Sequence, residues 1–310
     1  MRRRNNNPGF VLLMALAILA IAGTILATTS RRCCGRALDA SAARQALQVR
    51  WGTLSLQATC LAAAEDLLTR DSVRLEHPVS WSGRRIVLGG MTFHVVVSDE
   101  QAKANVNLIA KSRGNTTVAS ALIALQSGLS EALHVVPRPQ EEAAKPDAPG
   151  KLDTDIPMLY GSYEQLFDLV HPSQFFTRDN YGNYDNRGSY DSYRPAAIER
   201  VTCWGSGQVN FRRADPAVLR EVLLGALDDS DVGKILAFRQ KQPDGTRMEL
   251  LTHLNLASGK ALKAADLLTD TSACHSVWII AEGSTRKWYR LYVQQFVGSE
   301  SSSGQWVFQW

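Results

Sequence analysis

The residues that could do chemistry are few, and no spacing joins them into a catalytic set. Asp99 and Glu100 place two carboxylates side by side, as general acid–base work requires, but no nearby His or nucleophile completes a site. Six His are scattered without a His-Glu-x-x-His arrangement, and Ser and His share no nucleophile–base motif. Five Cys (Cys33, Cys34, Cys60, Cys203 and Cys274) form no Cys-x-x-Cys, which argues against a zinc ribbon, and their odd number leaves at least one thiol free or shared between chains. The Asp/Asn/Gly/Tyr-rich stretch 177–194 offers oxygen ligands to Ca2+ through Asp179, Asn183, Asp185 and Asp191. Asn183-x-Asp185-x-x-Gly188 lacks the Glu of an EF-hand, so a solvated loop is the competing reading.

The elements that must carry these residues begin with the N-terminus. Arg2-Arg3-Arg4 and a short polar stretch to Gly9 precede an uncharged run from Phe10 to Thr29. About 20 apolar residues at about 1.5 Å each span a bilayer's hydrocarbon core. The basic residues in front predict a cytoplasmic N-terminus and a chain lying outside the cytoplasm from Ser30 onward. A cleaved signal peptide fits poorly, because the run is long and Leu26-Ala27-Thr28-Thr29 is a poor cleavage site. A plain signal anchor remains open. The best fit is a prepilin-type leader, a short basic peptide ending in Gly before Phe and a long apolar helix, which would be cut between Gly9 and Phe10. In that class the fifth mature residue is usually Glu, held in the span for pairing with a neighbouring subunit. Here that position is Met14, which fits a subunit at the tip with nothing above it.

Beyond the span, Leu47, Trp51, Leu54, Ala58, Leu61 and Leu68 recur at helical spacing over 36–70, with no Pro, so this helix could continue the first. Two β-rich runs around Gly89-Gly90 predict a hairpin, with His94 alternating to the solvent face. Asp99, Asn105 and Asn107 suit a strand end turning into a helix, where their side chains satisfy backbone N–H groups. Residues 116–135 predict a Thr-capped helix, 136–156 a linker rich in Pro and charge, and Ser162 an N-cap. Asp215-Pro216 starts a helix with Leu219, Val222 and Leu223 on its apolar face. After the turn 224–229 a second helix buries Val232, Ile235, Leu236 and Phe238, making a helix-hairpin-helix. Three strands near 277–281, 288–296 and 306–310 finish the chain.

Net charge is only +4, much of it in Arg2–Arg4, so a nucleic-acid partner is not favoured. The hairpin turn carries one Gly, and Asp228 and Asp229 stand where a phosphate would lie. A membrane-anchored DNA-uptake protein is therefore the second reading and a periplasmic enzyme the third.

Two stretches carry a family resemblance. Asp99-Glu100-Gln101-Ala102-Lys103-Ala104-Asn105-Val106-Asn107 resembles the DE-x-GK-(I/L)-N-(L/V)-N signature of the type II secretion minor pseudopilin K family, with Ala102 for Gly. The second stretch has Gly205, Gly207, Val209, Asn210, Ala214, Leu219, Gly225, Ile235 and Arg239 in the family's second pattern, with Phe211-Arg212-Arg213 departing from it. Most of the chain is covered, 136–155 and 173–198 most weakly. The resemblance implies an α+β fold: a long N-terminal transmembrane helix on a small antiparallel pilin-like sheet, with an inserted all-helical domain containing the helix-hairpin-helix. The expected segments are a leader 1–9, a span 10–29, a helix and first strands 30–98, an insertion 99–268 and closing strands 269–310. It further implies a non-enzymatic subunit of the bacterial inner membrane with other minor pseudopilins and the major pseudopilin as partners. Prepilin peptidase would process and methylate it, and Ca2+ is the one candidate cofactor.

Overall fold

A computed structural model describes residues 8–126, 159–167, 171–178, 193–196, 198–283, 286–297 and 302–309. Asp179, Asn183, Asp185, Asp191 and the 136–156 linker lie outside the described residues. The chain divides into two units, Met1–Trp51 and Gly52–Trp310.

In the first unit one helix, α1 (Pro8–Ala62), runs on without a break, as the absence of Pro predicts. It is long and apolar enough to cross a membrane, and its apolar run is exposed throughout. The polar atoms within that run are satisfied by the helix itself. Thr24 donates to the Ile21 carbonyl at 2.8 Å, and Thr28 and Thr29 donate to that of Ile25 at 2.9 and 2.8 Å.

In the second unit the last turns of α1 bury Thr53, Leu56, Cys60 and Leu61. After Ala63 the chain re-enters helix as α2 (Ala64–Leu75), which buries Ala64, Leu68 and Asp71 and ends at Glu76 in the left-handed region. Strands β1 (Trp81–Leu88) and β2 (Met91–Asp99) form the hairpin, with Gly89 and Gly90 at φ 59° and 81°. Two successive positive φ values twist a two-residue turn to match the strands, which Gly allows without strain. After residue 273 come β9 (Cys274–Glu282), β10 (Lys287–Val297) and β11 (Ser302–Gln309). The five strands form one antiparallel sheet in the order β1-β2-β9-β10-β11.

Between β2 and β9 lies an additional, mostly helical region. It holds β3 (Ala104–Asn105), α3 (Val106–Arg113), α4 (Thr116–Leu125), α5 (Tyr163–Leu166), β4 (Phe176–Arg178), β5 (Tyr193–Pro195), β6 (Val201–Thr202) and β7 (Val209–Asn210). It continues with α6 (Pro216–Leu223), α7 (Asp229–Lys241), α8 (Arg247–Leu254), α9 (Ser258–Leu267) and β8 (Leu268–Thr269). Its short strands pair as β3–β6, β4–β5 and β7–β8. The region starts and ends at neighbouring points, because Asp99 pairs with His275 in the β2–β9 register. Closely spaced ends let such a segment fold without disturbing the sheet.

The sheet is covered on both faces. Phe93 lies against the end of α1, so close that a Cβ on Gly52 would sit 2.2 Å from its ring. On the other face Val96, Trp278 and Ile280 join the core of the helical region, where Trp278 meets Phe175 and Phe176 at ring-centroid distances of 5.5 and 5.1 Å. The solvent-facing assignment of His94 is therefore corrected. It is 1% exposed, and its Nε2 lies 3.2 Å from Glu282. Alternation correctly separates His94 from Phe93, but the face it points to is also covered. The start of α4 differs as well: Asn115 holds the N-cap position with its side chain accepting from the Tyr160 hydroxyl at 3.2 Å rather than capping the helix, while Thr117 donates to the Gly114 carbonyl at 2.8 Å.

Candidate functional site

The residues singled out between Asp99 and Asn107 form a buried polar knot where the chain leaves the sheet. Asp99 is 0% exposed and accepts from the backbone N–H groups of Gln101 and Ala102 at 2.9 and 3.1 Å, capping a short 3-10 turn over Glu100–Ala102. Its other oxygen accepts from Asn210 at 3.1 Å and the Ser272 hydroxyl at 2.6 Å, with the Arg213 guanidinium 3.6 Å away. One carboxylate thus ties the end of β2 to β7 and to the turn before β9.

Glu100 and Lys103 form an ion pair at 2.7 Å in which both side chains are 0% exposed. Glu100 also accepts from Ser276 of β9, and the Tyr163 hydroxyl lies 3.4 Å from it with the Val201 carbonyl, at 3.0 Å, as its nearer acceptor. Two unpaired charges could not be held here; the added hydrogen bonds make the pair tolerable. Burial pushes the nearby Cys203 and Cys274 thiols well up, with Glu100 adding to it, so both stay protonated.

The two Asn act as connectors. Asn105 caps α3, accepting from the N–H groups of Asn107 and Leu108 at 2.9 and 3.3 Å, and donates to the Trp204 carbonyl at 2.9 Å. Asn107 donates to the Tyr160 and Cys203 carbonyls at 3.0 and 2.8 Å and accepts from the Tyr160 N–H at 2.9 Å. Gly205 and Gly207 both adopt positive φ, 96° and 85°. At Gly205 a Cβ would meet the Gln101 side chain at 3.5 Å and Cys274 at 3.8 Å.

Arg213, where the chain departs from the family pattern, extends the knot to α2. It holds Glu65 through two bonds, at 2.7 and 2.8 Å, and Thr69 at 2.8 Å. The bond from His275 and the Arg213 guanidinium together hold the Glu65 carboxyl at about 2, against burial acting the other way. Glu65, Arg213 and His275 are singled out by no sequence motif; only the fold brings them to Asp99 and Glu100.

In the hairpin, Asp215 accepts from the Ala217 N–H at 2.8 Å and Asp228 from the Asp231 N–H at 2.9 Å, capping α6 and α7. Arg239 closes the unit by donating to the Phe211 and Ala214 carbonyls at 3.3 and 2.6 Å. Gly225 turns at φ 85° beside a groove of about 530 Å3 lined by Leu108, Ile109, Val222, Leu224 and Leu267 among others. Asp228 pairs with Lys260 at 3.2 Å, and Arg113 and Lys263 also line the groove. Gly9 and Phe10 lie in the first turns of α1, and Met14 is 56% exposed on it, far along the chain from the knot. Among the described residues no group of three or more His, Cys, Asp or Glu could hold a metal.

No protein family's sequence model matches the chain, and no curated protein matches it. The fold is similar to a chain of the crystal structure of the GspK-GspI-GspJ complex from the enterotoxigenic Escherichia coli Type 2 Secretion System. The identity is 15% and the TM-score 0.43, over 88% of this chain and 99% of that one.

Proposed function

We propose that the chain is a minor pseudopilin, placed at the tip of a type II secretion pseudopilus, where it helps initiate assembly and so export across the outer membrane. The observation carrying this reading is the position of the DEQAKANVN string. The residues that resemble the family signature are those that knot the sheet to the additional helical region. A non-enzymatic role follows, in which the helical region is bulk rather than a catalyst and blocks addition of a subunit above it. Met14, in place of Glu, removes the group such a subunit would need.

On this reading prepilin peptidase cuts between Gly9 and Phe10, and the new amine is methylated. Phe10–Thr29 spans the bacterial inner membrane once, with the bulk of the chain periplasmic. The partners are the other minor pseudopilins and the major pseudopilin. Ca2+, through Asp179, Asn183, Asp185 and Asp191, remains a candidate ligand. The expected result is co-purification of the full chain with the other minor subunits of the same secretion system from solubilised membranes. Absence of any such complex, together with salt-dependent retention on duplex DNA, would replace this reading with the DNA-uptake one.

A further inference from the structure

The stretch of α1 just beyond the uncharged run carries Arg31, Arg32, Arg36 and Arg44 against one acid, Asp39, before Arg50. Arg31, Arg32 and Arg36 are exposed, and no ion pair engages them among the described residues. Because α1 is unbroken here, their spacing is fixed. Arg32 and Arg36 lie one turn apart, roughly 40° from each other around the axis and about 6 Å along it. The side chains between and beside them are small: Cys33, Cys34, Gly35 and Ala37, with open space around Gly35. If Thr29 ends the hydrocarbon span, Arg31 and Arg32 stand within about 5 Å of the boundary and Arg36 about 10 Å beyond it. A headgroup layer about 5–8 Å deep, with long side chains that reach back toward it, covers all three. Arg44, about 22 Å out, is beyond reach.

We infer that Arg32 and Arg36, with Arg31 beside them, form a clamp for the phosphate of anionic phospholipids in the outer leaflet. This rests on the membrane-spanning reading of Phe10–Thr29. A planar guanidinium suits a phosphate with two parallel N–H donors, and a second one a turn away closes on the same headgroup. Pairing with acids of a neighbouring subunit is the competing use of these residues, and lipid selectivity of the isolated chain tells the two apart.

The test places the full chain in nanodiscs of mixed phosphatidylcholine and phosphatidylglycerol and measures by mass spectrometry which lipid remains bound. Phosphatidylglycerol is expected to be enriched roughly fivefold or more over its bulk share. Arg32→Gln/Arg36→Gln is expected to cut the enrichment by at least half, while Arg44→Gln leaves it intact. No enrichment with the wild-type chain, or equal loss with Arg44→Gln, overturns the clamp. Extraction of the chain from vesicles by alkaline carbonate would instead show that the span itself is wrong. A chain that resists carbonate yet shows no lipid preference sinks the clamp alone.

Discussion

Asp99 is held by five groups from three separate stretches of chain, and Glu100 meets three, so the sheet and the helical region share one buried electrostatic unit. Removing one member of the Glu100–Lys103 pair leaves the other charged and buried. Glu100→Gln or Lys103→Met alone is therefore expected to cost about 3–5 kcal/mol in urea unfolding. The double substitution should cost clearly less than the sum, because no lone charge then remains. Strict additivity would mean that the two do not act as a pair. Glu65 gives a pH signature. Its carboxyl is depressed from the ordinary 4.5 to about 2 in the folded chain. Its contribution is thus fully present above the unfolded value and is lost as pH falls from about 4.5 toward 2. Because its side chain is 59% exposed, the effect is under about 1 kcal/mol. Stability measured across that window should fall less steeply in Glu65→Gln than in the wild-type chain; identical slopes would remove His275 and Arg213 from the account.

Among the elements, the seam between α1 and β2 is closely packed at Gly52 and Phe93. Ala is the better helix former than Gly by about 1 kcal/mol, so propensity alone favours Gly52→Ala. The new Cβ would overlap the Phe93 ring, itself 1% exposed, and overpacking of that kind costs about 1–3 kcal/mol. A net loss of thermal stability is expected, recovered in part by Phe93→Leu in the same background; a stabilised Gly52→Ala would contradict the packing described. Much at this scale was legible in the sequence, because capping and turn chemistry are local. Asp99, Asn105 and Asp215 cap where their spacing predicts, and Gly89-Gly90 makes the expected turn. What was not legible depends on distant segments. The burial of His94 follows from a second cover on the sheet, which alternation within one strand does not encode. The bonds from Arg213 to Glu65 join residues 148 positions apart, and no local pattern marks either. Val218, 0% exposed on α6, also escaped the reading of that helix's apolar face.

The whole molecule has two parts: an exposed apolar N-terminal helix long enough to cross a membrane, and an α+β body whose sheet carries an additional helical region between β2 and β9. A polar knot spread over the end of β2, α2, β7 and β9 suits a rigid bulky unit, since its loss would loosen the sheet and the helical region together. The central claim concerns how such a chain reaches its working form, and it is tested most directly at the N-terminus. The measurement is the mass and N-terminal sequence of the mature protein, made with and without a prepilin peptidase. The account predicts a chain beginning at methylated Phe10 only when the peptidase is present. A chain that keeps Met1 in both cases, or one cut near Ala27, would contradict it.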